Sequence, residues 1–104
     1  MATVPETLLR TIVEVYSPRR VVLFGSQARG DAGPESDIDL VVVLDDDVPA
    51  ETLSWRNRNA ARKGFTGSVD IIPCRESVLT ERARAPGSFA DTILREGVVV
   101  YERH

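Results

Sequence analysis

Asp37 and Asp39 stand two residues apart at the mouth of the apolar run "DIDLVVVL", and a third acid, Asp70, interrupts the apolar residues of "GSVDIIP". In an extended strand, residues two apart share a face with Cα atoms about 6.6 Å apart, so Asp37 and Asp39 project side by side. Carboxylates so placed repel and raise one another's pKa unless cations or donors compensate them, and the run holds no lysine or arginine. Hard divalent cations, above all magnesium with a phosphate-bearing substrate, are the usual compensation. Two such ions roughly 4 Å apart, bridged by the pair, would clamp the attacking and leaving oxygens of an in-line displacement. The competing reading is a side-chain-to-backbone turn at Ser36-Asp37 followed by an outward-facing strand entry, and the pair alone does not decide between them. Asp70 adds weight, because an unpaired carboxylate buried within a strand costs several kcal/mol, although one acid at a strand edge also arises by chance.

Gly25-Ser26 closes the preceding apolar run, "RRVVLFGS", and opens a short helical stretch through Gln27, Ala28 and Arg29. Glycine permits close backbone approach and positive φ, while the N–H groups of a helix start and a serine hydroxyl bind phosphate oxygens. An ordinary N-cap explains a lone Gly-Ser equally well, and the Gly-x4-Gly-Lys-Ser/Thr phosphate loop is absent. The phosphate reading therefore depends on the acids nearby. Arg29 is secondary: it could steer an anion, but a solvated arginine is the commoner case.

The elements that must position these residues follow from periodicity. Pro5 suits a first helical turn, and Leu8, Leu9, Ile12, Val13 and Tyr16 then repeat at helical spacing up to Ser17-Pro18. "RRVVLFGS" reads as a buried strand. In "DIDLVVVL", Ile38, Leu40 and Val42 occupy one face and Val41 and Val43 the other, as expected of a sheet covered on both sides. "AETLSWRNRNAARKG" reads as one helix whose inner surface comes from Leu53, Trp55 and Ala60. "GSVDIIP" is a strand stopped by Pro73. "ESVLTERARA" and "SFADTILREG" are helical, and "VVVYE" is a last strand. The alternation predicts an α/β or α+β fold with a sheet of about four strands.

At 104 residues and 42% hydrophobic content the chain suits a single domain over 1–104. A formal charge of −3 opposes autonomous nucleic-acid binding, which draws its affinity from clustered cations. The lone Cys74 has no disulfide partner, no zinc-ligand spacing occurs, and no stretch has signal-peptide or membrane-spanning character, so a cytoplasmic location without membrane contact is expected. Cys74 reads as a small packed hydrophobe and His104 as an idle terminus. "DDD" at 45–47 lacks the glycine and glutamate of a calcium loop and reads as a solvated strand exit. The arginines of "WRNRNAARK" could form a basic edge near acceptor or nucleotide, with a solvated face as the default, and Trp55 reads as a packing residue.

"FGSQARGDAGPESDIDLVVV" resembles the Gly-Ser, Ala-Arg-Gly, Ser-Asp-Ile-Asp-Leu signature of the minimal nucleotidyltransferases of the DNA polymerase beta superfamily, and the terminal "EGVVVYE" is similar to that family as well. The resemblance implies a mixed sheet flanked by helices and transfer of a nucleoside monophosphate from a triphosphate with release of pyrophosphate. It implies Gly25 and Ser26 as the triphosphate-binding turn, Asp37, Asp39 and Asp70 as catalytic metal ligands, two magnesium ions, and ATP as donor. Gln27 departs from the family, where an aromatic or other large residue is frequent. Many relatives pair with HEPN-type toxins, which implies an antitoxin that transfers AMP to a tyrosine of that partner and silences its RNase activity. Two other roles stay open: an antitoxin that neutralises by binding alone, and a transferase acting on a small molecule such as an aminoglycoside.

Overall fold

The computed structural model describes residues 4–25 and 38–103. Helix α1, Glu6–Tyr16, begins after Pro5, whose carbonyl accepts from the Leu9 N–H at 3.0 Å, so the proline sits at the cap and not within the first turn. It ends at Ser17, which takes a left-handed conformation (φ 46°) and donates its N–H to the Val13 carbonyl at 2.8 Å. Pro18 then bars continuation.

Strands β1 (Arg20–Phe24), β2 (Ile38–Leu44), β3 (Val69–Arg75) and β4 (Val98–Glu102) form one mixed sheet in the order β3-β2-β1-β4. β1 pairs antiparallel with β2 and β4, whereas β2 and β3 run parallel. Alternation along the strands divides the core in two. On one face Val21, Leu23, Ile38, Leu40, Val42 and Leu44 pack with Leu8, Ile12 and Tyr16 of α1 and with Ala61 of α2 (Trp55–Ala61). On the other, Val22, Val41 and Val43 pack with Leu79 of α3 (Glu76–Arg82) and with Ala90 and Ile93 of α4 (Phe89–Glu96). Four α-helices and four strands among the described residues thus make the expected α+β architecture, covered on both faces.

Two expected boundaries are corrected. The helix expected over residues 50–64 is broken: a 3-10 turn, Ala50–Leu53, is followed by Ser54 in extended conformation (φ −72°, ψ 159°) before α2 begins. That break resets the helical phase. Leu53 still packs against the core, but Ala61 is buried in place of Ala60, and Trp55 is left 64% exposed. Strand β3 runs past Pro73 to Arg75, in register with Leu44 of β2. It lies at the sheet edge, where one row of backbone groups needs no ladder partner and proline is tolerated.

The C-terminal helix is set by its entry. Ser88 Oγ accepts from the Asp91 N–H at 3.1 Å, while Asp91 Oδ2 accepts from the Gly87 N–H at 2.9 Å, a reciprocal cap that satisfies two donors otherwise lacking partners. No helix among the described residues is long and apolar enough to cross a membrane.

Candidate active site

Asp39 belongs to the alternation of Val41 and Val43, so its side chain emerges on the face that carries α3 and α4, while Ile38 and Leu40 anchor the strand into the opposite core. The register then sets its neighbours. Phe24 of β1 lies opposite Asp39, and Asp70 of β3 lies beside it. Because directly paired residues share a sheet face, Phe24, Asp39 and Asp70 form a row across three strands, each step about 4.8 Å. Phe24 is held by an edge-to-face contact with Phe89 at the start of α4, with ring centroids 5.4 Å apart. The row therefore has an aromatic end and an acidic end.

Gly25 follows Phe24 directly and turns the chain with φ 78°. A Cβ on Gly25 would stand 2.6 Å from Asp39 Oδ2. Without a side chain at Gly25 the turn after β1 lies against that carboxylate, which any added Cβ would displace.

Three of the five residues singled out from the sequence, Gly25, Asp39 and Asp70, thus converge at one end of the sheet. Ser26 and Asp37 lie outside the described residues, as do Gln27, Ala28, Arg29 and His104. Among the described residues no group of three or more histidine, cysteine, aspartate and glutamate side chains gathers at metal-binding distance. Asp39 is half-buried and Asp70 is exposed. The exposure of Asp70 removes the desolvation cost inferred from its apolar neighbours; its register with Asp39 is what distinguishes it.

An open cavity of about 280 Å³ adjoins Asp70 on the outer side of β3. Val69, Asp70 and Ile71 form one wall, and Trp55, Arg58, Asn59 and Arg62 of α2 and its C-terminal cap form the other. The spacing of those four residues, i, i+3, i+4 and i+7, is one helical face. The signal was present in the sequence, but nothing local said that this face would look onto β3. Cys74 lies on the face of Val43, and burial pushes its thiol above the ordinary range, with Arg82 opposing weakly. The thiol packs against the core of Val22, Val41 and Val43.

An acidic row at the end of a mixed sheet, beside a glycine turn that closes the neighbouring strand, is an arrangement suited to phosphoryl or nucleotidyl chemistry. Residues 6–100 match the nucleotidyltransferase domain family, and the chain belongs to it. Among solved structures, a toxin–antitoxin crystallised with AMP-PNP is similar over 97% of this chain and 76% of its own, with a TM-score of 0.61 and 18% identity. A protein assigned as a nucleotidyltransferase from Sulfolobus solfataricus is similar over 94% of this chain and 86% of its own, with a TM-score of 0.56 and 24% identity. At these identities the likeness is one of fold. A search of curated proteins returns no match.

Proposed function

We propose that this chain transfers AMP from ATP to a hydroxyl, that of a tyrosine on a partner HEPN-type RNase toxin, and acts as its antitoxin. The observation that carries the reading is the register of Asp39 with Asp70 beside the Gly25 turn, in a chain of the nucleotidyltransferase family. The toxin–antitoxin neighbour, solved with AMP-PNP, supports a toxin partner and an adenine nucleotide.

The donor set suits magnesium. Carboxylate oxygens are the hard ligands this ion takes. Asp39 and Asp70, with Asp37, would hold the ions, which when bound neutralise phosphate charge and activate the attacking oxygen. The chain itself orients the reactants. The Gly25-Ser26 turn holds the triphosphate close to Asp39, and the Asp70 carboxylate faces the acceptor and takes up its hydroxyl proton. The acceptor oxygen forms a bond to the α-phosphorus, the bond to the β-phosphate oxygen breaks, and pyrophosphate leaves.

Incubation with α-labelled ATP, magnesium and the product of the gene adjacent to this chain's own tests the reading. Label is expected on a toxin tyrosine, with loss of RNase activity. Asp39→Asn is expected to slow transfer by roughly 100-fold, about 2.7 kcal/mol of transition-state stabilisation. Transfer at the undiminished rate would overturn the assignment. Neutralisation in cells that survives Asp39→Asn together with Asp70→Asn would instead make the chain an antitoxin that acts by binding.

A further inference from the structure

Phe89, the first residue of α4, carries a phenyl ring that is 57% exposed. The ring is not turned away from the fold, since it meets the ring of Phe24 at 5.4 Å with the two planes at 79°. It stays exposed because β1, the strand beneath it, ends at Phe24. In an edge-to-face pair one ring offers its rim and the other one of its faces, so whichever part Phe89 plays, at least one of its faces is left over. No second ring contact of Phe89 occurs among the described residues. The ring stands at the aromatic end of the row that contains Asp39 and Asp70, on the side of the sheet to which the register assigns both carboxylates.

We infer that Phe89 is the platform on which the base of the donor nucleotide stacks. The inference rests on the transferase reading above and adds to it the residue that holds the nucleoside. Three observations select a nucleobase. The first is reach. Directly opposed residues of an antiparallel pair stand about 5 Å apart, and Phe24 places one such step between Asp39 and the ring separation of 5.4 Å, so the Phe89 ring lies within roughly 10 Å of the Asp39 carboxylate. An ion on that carboxylate, the α-phosphate it holds and one ribose cover such a distance. The second is direction. Gly25 lies against Asp39 at the level of the sheet, whereas Phe89 belongs to the helix layer above it, so phosphates and base leave Asp39 on different paths, and Asp70 at the other end of the row stays open to the acceptor. The third is chemistry. The polar groups beside Phe89 in the chain are already engaged: Ser88 Oγ accepts from the Asp91 N–H at 3.1 Å and donates to the Arg82 carbonyl at 2.9 Å, and Asp91 Oδ2 accepts from the Gly87 N–H at 2.9 Å and pairs with Arg95 Nε at 3.2 Å. What the start of α4 offers is a flat apolar face, on which any base stacks without hydrogen-bond readout. This contact therefore does not tell adenine from guanine.

Calorimetry on the intact protein, with magnesium-ATP, magnesium-GTP and magnesium-tripolyphosphate as titrants, separates the base from the phosphates. Phe89→Leu keeps an apolar side chain against Phe24 and removes the stacking face. It should weaken ATP and GTP alike by roughly tenfold and leave tripolyphosphate unchanged, whereas Phe89→Tyr should bind all three as the parent does. The parent supplies a second readout that needs no change in the ring: the Phe89 aromatic resonances, assigned by their loss in Phe89→Tyr, should move upfield with magnesium-ATP and hold still with magnesium-tripolyphosphate. Undiminished ATP affinity in Phe89→Leu, equal losses of ATP and tripolyphosphate, or a Phe89 resonance that ATP does not move would overturn the inference and leave the transferase reading standing. A parent protein that binds neither ATP nor tripolyphosphate would overturn both.

Discussion

Gly25 is packed against Asp39 so closely that a single added carbon on the glycine would meet the carboxylate oxygen at 2.6 Å. Gly25→Ala is therefore expected to do two things. The left-handed backbone (φ 78°) costs an alanine about 1–2 kcal/mol, and the carboxylate must swing away, which removes it from the row it forms with Asp70. Gly64 provides the control, since it has a similar φ of 85° and nothing within 4 Å of its added Cβ. Urea unfolding should show comparable losses in both alanine variants beyond the steric share at Gly25, whereas nucleotidyl transfer should fall steeply only in Gly25→Ala. Equal transfer by the two variants would separate the turn from the chemistry.

Gly97 is required for space and not for backbone freedom, because its φ of −71° is open to any residue. An added Cβ would run into Val22 Cγ1 of the central strand and stand 2.5 Å from the Ile93 carbonyl oxygen. Neither can yield cheaply: Val22 is buried, and the carbonyl already accepts from the Gly97 N–H at 2.9 Å. Gly97→Ala should destabilise by about 1–3 kcal/mol, the usual range for overpacking, read as a lower urea midpoint. An unchanged midpoint would mean that α4 and β4 can part without cost.

The fold was legible where the pattern was local. The two-faced apolar run of β2 announced a sheet covered on both sides, and Ile38 and Leu40 do separate from Val41 and Val43 into different cores. The mouth of that strand also announced its acids. Pairing across strands was less legible: no residue near Asp70 says that β3 will run parallel to β2 with Asp70 in register with Asp39, because that contact joins residues far apart in the chain. Helix propensity misled at Ser54. The residues on both sides favour a helix, yet the Ser54 N–H closes a tight turn onto the Glu51 carbonyl and Asn57 Nδ2 donates to the Thr52 carbonyl, so the chain kinks and Trp55 turns outward. Tertiary context outweighed a preference of tenths of a kcal/mol per residue.

Tyr16 ends α1 with its ring 4% exposed and its hydroxyl without a hydrogen-bond partner among the described residues. Burial pushes its pKa above the ordinary range, against a weaker downward pull from Arg58, so the group stays neutral. A buried hydroxyl that has lost its water without gaining a partner is destabilising. Tyr16→Phe keeps the ring and removes that cost, so stability should rise by about 1 kcal/mol at an unchanged denaturant slope. A loss of similar size would show that the hydroxyl is satisfied in solution.

Asp45, just past the end of β2, ties together the two ends of the fold. It accepts from Arg103 Nη2 at 2.7 Å and from Arg19 Nη1 at 3.1 Å. Arg103 in turn donates through Nη1 to the Ser17 carbonyl at 3.2 Å and through its N–H to the Arg19 carbonyl at 2.8 Å. The hydrogen bond from Arg103, seconded by that from Arg19, holds the Asp45 carboxyl below the ordinary carboxylate range against a smaller opposing desolvation. Since the folded pKa lies below the unfolded one, the unfolded chain takes up the proton first on acidification. The stabilisation is therefore complete above the ordinary carboxylate pKa of 3.8 and is lost as pH falls through the depressed folded value. Asp45→Asn should flatten that acid limb in a pH series of urea midpoints while leaving its shape above neutrality unchanged. Because the groups are solvent-exposed, salt should shrink the difference between the two proteins. An acid limb as steep in the asparagine variant as in the parent would assign the pH dependence to other carboxylates.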